Sequence, residues 1–497
     1  MLPLAEKILR DIWRIKLKKL TLLMMLLMFV FAASSVMAQE ASTAVVAGGE
    51  TKITLAGEIR FRGEFSSNLG DQLDDESRRL VTTPAPPGFK NGSDDHNAYY
   101  DGRIRLSVDA RIGNDVQGFI ELDSGTDKTD TWIWGNATSA DSGARGIYSN
   151  GNTKKGDIHI RQAWIHYTKG MYGLKVGHQL WFLGNKLFFD HTRYGDDGIR
   201  VIVDPNKYIH IEVKALKFSE RETNHPDDGD AYVVEVKYKG DGGVNASADV
   251  AYVNDQAFAA LVSAYQYAHV WNFGLRGDYT NGPVKVRGDI EAQAGKLENS
   301  DDSRIEDATI KGWAGLLGVD YKIAGNIPLT LTLEGAYGSG KSADDKNNDF
   351  KTFITSLGND QHYTYVYEYK LKSAAGAIST GLANTVYIKG AAKAEFTKSL
   401  EAELALYWLQ AAKKVALNAV SGPGLPIVPA SKDLGWELDT KITYKIAKNL
   451  QYFVEGGYMF VGKAYDNVVQ TRVVPVAEFA TERDDAYAIR NGIQFNF

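Results

Sequence analysis

The chain has 497 residues, a formal net charge of −6, 44% hydrophobic residues and no cysteine. Disulfide scaffolds and thiol chemistry are therefore excluded, and the mild acidity argues against a nucleic-acid partner. Length alone would allow about three soluble domains, but no shift in composition marks a boundary between them, and the chain holds 26 tyrosines.

The start is basic, with Lys7, Arg10, Arg14, Lys16, Lys18 and Lys19, and runs into the apolar stretch "LTLLMMLLMFVFAA" from Leu20 to Ala33. That run is short for a membrane helix, which wants about 20 residues. Val36 and Ala38 then fit signal-peptidase cleavage before Gln39. The sequence predicts a cleaved signal peptide over 1–38 (the alternative being an anchor helix), a short periplasmic segment over 39–51 and a barrel over 52–497. Without cysteine, no lipid anchor is expected.

From Lys52 onward the period is two. In "KITLAGEIRFRGEF", Ile53, Leu55, Ile59, Phe61 and Phe65 alternate with Thr54, Glu58, Arg60, Arg62 and Glu64. "YDGRIRLSVDARI" repeats the pattern, setting Ile104, Leu106 and Val108 against Arg103, Arg105, Asp109 and Arg111. "VKVRGDIEAQA" and "LGWELDTKITY" do the same further on. Alternation of this kind is the mark of a strand with two different faces. A soluble propeller or sandwich would also show many strands, but it would bury its apolar face. Here the polar faces carry runs of charge suited to a watery lumen, and the apolar faces carry aromatics near strand ends, suited to the edges of a bilayer.

The connections alternate as well. Short turns such as "GND" at Gly113–Asp115 and "TNGP" at Thr280–Pro283 take turns with long polar loops, among them Ser66–Ala98, Asp127–Gly156, Ser339–Asn384 and Lys463–Asp485. The fold class is all-β, a transmembrane antiparallel up-and-down barrel of about 18 strands (16 being possible) with short periplasmic turns and long extracellular loops. It would sit in the outer membrane among lipid and lipopolysaccharide. The last strand, "YAIRNGIQFNF", ends on Phe497, and a terminal aromatic of this kind is part of the signal read by the outer-membrane assembly machinery.

One motif points elsewhere. Gly335-x-x-x-x-Gly340-Lys341-Ser342 matches the loop that cradles nucleotide phosphates. That chemistry needs a helix starting at the motif, and "ADDKNNDF" is no amphipathic helix. No nucleotide is expected, and "GSGKSADDKNND" is predicted to begin a long external loop. Asp190, His191, Asp196 and Asp197 could be imagined around a metal, but no metal-loop spacing is present, and neither metal nor any other cofactor is expected. There is no Gly-x-Ser-x-Gly elbow and no His-Glu-x-x-His, so an enzyme is not expected.

If the alternation holds, the pore is lined by Arg60, Arg62, Arg103, Arg105, Arg111, Arg161, Lys175, Arg200 and Arg490. Acidic strands lie elsewhere on the wall, with Glu437 and Asp439 among their residues. Two readings of the basic residues are open: they pair with carboxylates and keep the lumen wet, or they guide anions, since Arg grips carboxylate and phosphate through a planar fork. The second predicts anion preference despite the net charge. The segment "LKVGHQLWFLGNKLFFDHTRYGDDG" is too apolar for a loop in water, and Trp181–Asp197 is predicted to fold inward as a constriction. Its candidate residues are Trp181, Phe188, Asp190, His191, Arg193, Asp196 and Asp197.

"HIRQAWIHY" (His159–Tyr167), "VGHQLWFLGN" and "YGDDGIRV" together resemble the alginate-export family of outer-membrane barrels and related porin-like proteins, and "GLANTVYIKGAAKAEFTKSLEAELALYWL" (Gly381–Leu409) resembles it more loosely. The family pattern has Gly-Arg-Gln where this chain has Gly177-His178-Gln179. The resemblance implies an eighteen-stranded barrel with a basic pore that exports an acidic polysaccharide. Three functions are therefore in view. The first is passive diffusion of small hydrophilic, anionic solutes; the second is export of an acidic polysaccharide of the alginate type. The third is a structural sleeve around a periplasmic or redox protein complex.

Overall fold

Antiparallel strands close on themselves in a computed structural model that describes residues 45–69, 96–125, 131–134, 157–220, 228–255, 267–298, 306–342, 347–357, 363–368, 381–415, 430–465, 467–470, 478–481 and 484–497. The expected signal peptide and most of the long loops lie outside these residues. The barrel strands are β1 (Thr51–Ser67), β2 (Asn97–Ile112), β3 (Val116–Gly125), β4 (Asp157–Lys169), β5 (Tyr172–Phe182) and β6 (Phe189–Asn206). They continue as β7 (Ile209–Ser219), β8 (Gly229–Lys239), β9 (Val244–Asp255), β10 (Tyr267–Asn281), β11 (Val284–Glu298) and β12 (Trp313–Ile323). The wall is completed by β13 (Leu329–Gly338), β14 (Thr385–Glu395), β15 (Leu400–Val415), β16 (Ser431–Ala447), β17 (Leu450–Val461) and β18 (Ala486–Asn496). Each pairs with the next, and β18 pairs back onto β1 from Tyr487↔Ser67 to Asn496↔Glu58, giving the 18-strand closed barrel expected from the sequence.

The pattern of exposure is inside out. Leu317 and Leu333 are each 63% exposed, whereas Asn272, Glu291 and Glu437 are 0% exposed. A water-soluble sheet could not bear this, because about 25 cal/mol is lost for each Å² of apolar surface left in water. In a bilayer the cost vanishes, and every backbone group is satisfied because the barrel has no edge. Outward aromatics gather towards both rims: Trp313 and Tyr337 stack at 4.5 Å near the long-loop end, and Phe495 and Phe497 at 5.7 Å near the short-turn end. No helix among the described residues is long and apolar enough to cross a membrane, so the strands do the crossing. This is a multi-pass outer-membrane barrel.

The short turns follow from their residues. Gly282 stands first in a two-residue turn with Pro283 and has φ +54°, as a II′ hairpin demands, and Asn449 adopts φ +67° in the turn to β17. At the seam, β18 stops opposite Gly57, where Gly57 and Phe497 exchange backbone hydrogen bonds at 2.8 and 3.0 Å. Below that level a small strand, Val45–Gly48, folds back and pairs with Thr51–Thr54.

The phosphate-loop match is resolved by the same geometry. Gly335 lies in β13, and the Ser339 hydroxyl accepts from the Trp313 N–H (2.8 Å) and donates to the Lys351 carbonyl (2.7 Å). The Lys341 N–H donates to Thr352 Oγ1 at 3.2 Å, and Lys341 Nζ to the Asn347 carbonyl at 2.8 Å. Lys341, the motif's cation, is thus spent on the chain itself.

Candidate functional site: a lumen narrowed from within

Two segments enter the barrel from the long-loop end. The first, 183–188, joins β5 to β6 and reaches across to β10 and β11. Its Asn185 donates from both N–H and Nδ2 to Asp289 Oδ2 on β11, at 3.2 and 3.0 Å. Gly184 has φ +47°, and a Cβ there would stand 1.9 Å from Arg276 Nε on β10, so only glycine fits. Trp181, Leu183, Phe188 and Phe189 are all nearly fully buried, which is why so apolar a segment is stable inside a polar tube.

The second segment was not anticipated. Residues 339–384 read as an external loop, yet their described parts 351–357 and 363–368 lie inside. Phe353 and Val366 are 0% exposed. The Ser356 N–H donates to the Phe188 carbonyl at 2.7 Å, joining the two segments. Gln293 of β11 exchanges two hydrogen bonds with the Ile354 backbone, both 2.8 Å. Further round the wall, Glu437 of β16 accepts from the N–H groups of Val366 (2.5 Å) and Tyr367 (2.8 Å), and Asp439 accepts from Tyr365 (3.0 Å). Burial pushes the Tyr363 and Tyr367 hydroxyls up, so they stay protonated donors; Tyr363 donates to the Gly381 carbonyl at 2.9 Å.

Between the segments His191 makes a relay: Nδ1 to Asp196 Oδ2 at 2.6 Å and Nε2 to Ser356 Oγ at 2.9 Å, with the ring stacked on Phe189 at 4.3 Å. The order resembles a hydrolase triad, but the Ser356 N–H is committed to Phe188, so it cannot serve as an oxyanion donor. The relay ties β6 to the second segment. Among the described residues no group of three or more His, Asp or Glu side chains is placed to hold a metal.

Most of the predicted basic residues are ion-paired. Arg62 grips Asp101 with a two-pronged fork at 2.8 and 2.5 Å. Arg103 bonds Glu58 at 2.6 Å and Arg105 bonds Asp123 at 2.7 Å. Arg490 Nε bonds Glu455 at 2.7 Å, and Arg161 bonds Glu121 together with the carbonyls of Thr192 (2.6 Å) and Arg193 (3.0 Å). Arg60 faces Arg103 across the β1–β2 pair. Arg111 lies at the short-turn rim, 57% exposed and 3.0 Å from Asp109. Lys175 sits 3.4 Å over the Trp164 ring, and Arg200 reaches Glu212 at 3.5 Å.

The constriction prediction needs two corrections. Trp181, Phe188, Asp190, His191 and Asp196 do pack inward. Asp197 does not: β6 has resumed its alternation there, so Asp197 shares the outward face with Ile199 and Val201 and is 76% exposed beside His178 (3.0 Å). Phe182 likewise points out, 50% exposed. Arg193 lies in the irregular stretch where the β5–β6 register shifts, its guanidinium over the Tyr194 ring. Among the wall groups that hold the inner segments, Asp289 and Arg276 were missed as site residues, and Glu437 and Asp439 were placed on the acidic wall without their role as acceptors for the second segment. Below Gly184 and Asn185 a cavity of ≈ 580 Å³ opens, bordered by His210, Lys237, Lys239 and Lys285.

A closed outer-membrane barrel whose polar lumen is narrowed by its own loops defines a protein of the channel class. Residues 87–473 match the Alginate export family, and the chain belongs to that family. No curated protein matches the sequence. Similar solved structures include OccK11 (OpdR) of Pseudomonas aeruginosa, with 9% identity over 89% of this chain and 96% of that one, TM-score 0.47. OpdK of the same organism, solved with vanillate, has 10% identity over 89% and 98%, TM-score 0.48. An anion-selective porin from Comamonas acidovorans has 10% identity over 90% and 100%, TM-score 0.41.

Proposed function

We propose that the protein is a passive diffusion channel for small hydrophilic solutes, anions preferred. The observation that carries this is the two-signed wall of β18, β1, β2 and β3, whose Arg–carboxylate pairs line a wet lumen opposite the anchor points of the first inner segment on β10 and β11. Such a wall keeps the lumen wet while the inner segments set the bore. Residues 1–38 are removed on export, the outward aromatics meet lipid and lipopolysaccharide, and the strand ending in Phe497 is what the assembly machinery reads. No catalytic step belongs to this reading.

Family membership favours a second reading, export of an acidic polysaccharide, in which the inner segments would have to move aside to admit a chain. Single-channel recording in planar bilayers separates the two. A steady ohmic conductance from the pure protein supports diffusion; a silent barrel that conducts only with a periplasmic partner overturns it.

A further inference from the structure

The strand register sets four basic residues in one row across the lumen wall: His166 faces Lys175, Lys175 faces Arg200, and Arg200 faces Lys214. Like charges directly opposite one another destabilise a sheet, so such a row calls for a compensating anion. The wall supplies too few. Lys214 takes Glu212 at 2.8 Å and Glu235 at 2.5 Å, Arg200 reaches the same Glu212 at 3.5 Å, and Lys237 lies between Glu235 (3.1 Å) and Glu212 (3.7 Å). Among the described residues Lys175 has no carboxylate within 4.0 Å; its ammonium rests on Trp164. Lys175, Arg200, Lys214 and Lys237 thus divide two carboxylates, whereas each arginine of the β1–β3 wall whose ion pair is described above has one of its own.

The neighbouring acidic group does not cancel the row. Asp249, Asp289 and Glu291 surround Arg276 at 2.5, 3.3 and 2.7 Å, all with side chains 0% exposed and capped by Gly184 of the first inner segment. Lys175 is only half-buried, and Lys237 is 41% exposed. In a narrow pore the nearest accessible charges set the field, so the row and not the net charge governs what enters. Beside it, Trp164 and Phe119 stack at 5.1 Å, and Arg200 lies 4.6 Å over Trp181 at the root of the first inner segment.

We propose that Lys175 and Arg200, with Trp164 and Phe119 beside them, form a carboxylate-binding station just below the constriction, selective for carboxylates that carry an apolar body. The guanidinium fork and the ammonium take the carboxylate, and the rings take the body. This rests on the diffusion reading and moves anion selectivity from the paired arginines to β4, β5 and β6.

The test uses the purified protein in two settings. In planar bilayers across a KCl gradient, the wild type is anion-selective, and Lys175→Gln moves the reversal potential towards cation selectivity. Phenylacetate reduces the KCl current at lower concentration than acetate does. Lys175→Gln raises both half-blocking concentrations about tenfold, the usual worth of one charged hydrogen bond, and Trp164→Leu removes only the advantage of phenylacetate. In detergent, equilibrium dialysis of phenylacetate reads the station without any current. Silence in the bilayer with Lys175-dependent binding intact sinks the diffusion reading and keeps the station. Wild-type reversal potential, block and binding in Lys175→Gln overturn the station.

Discussion

Two nearby stretches of the wall put their carboxylates to opposite purposes. On β1, β2 and β3, Glu58, Asp101 and Asp123 each neutralise an arginine of the neighbouring strand. On β16, Glu437 and Asp439 instead accept backbone N–H groups from the second inner segment. The first arrangement stiffens the wall and leaves it wet; the second fastens a loop to it. What answers a buried carboxylate therefore decides whether it shapes the bore or fills it.

The largest expected effect comes from cutting the fastening. Glu437→Leu leaves two buried N–H groups without acceptors, at about 1–3 kcal/mol each, and single-channel conductance should rise several-fold as the segment leaves the wall. A Val366→Cys, Gly457→Cys pair sharpens the point, since a Cβ at Gly457 would lie 3.0 Å from Val366 Cγ2. Oxidised, this bridge should hold the Glu437→Leu variant at wild-type conductance, and reductant should release it. No change on reduction would mean the segment stays put without Glu437.

Next in size is the pairing between β1 and β2. Arg62→Gln strands Asp101, whose side chain is 5% exposed, and should cost of the order of 3 kcal/mol in urea unfolding. Adding Asp101→Asn should recover most of it. If the double variant is as unstable as the single, the pair is not what holds this wall.

Gly184→Ala forces a Cβ against Arg276 at a positive φ, and should lower stability by about 1–3 kcal/mol with a modest rise in conductance. The smallest effect belongs to Arg111→Ala at the rim. With the Arg111 side chain 57% exposed, it should change stability by less than about 1 kcal/mol and leave conductance unaltered.

The barrel was legible because a period of two needs no long-range knowledge: Leu55 and Phe61 announce one face and Arg60 and Arg62 the other. Pairing was not legible, because Arg62 meets Asp101 only once β1 and β2 are aligned, and a one-residue slip would separate them. The first inner segment was found from its apolar content in a loop. The second has the same apolar content in Phe353, Ile354, Tyr365 and Val366, but it follows the polar stretch "GSGKSADDKNND", which reads as an external loop. Asp197 was misplaced because nothing in its neighbourhood shows where the irregular stretch ends and alternation resumes.

The small fold-back at the seam has a consequence for how the barrel lives beside its neighbours. With β18 ending opposite Gly57, the side of Thr51–Thr54 turned towards it would offer unpaired N–H and C=O groups to the periplasm. Bare strand flanks of that sort template β-addition by any extended chain passing by. Val45–Gly48 occupies the flank first. The flank of Thr51–Thr54 is thereby already taken by the chain's own preceding residues.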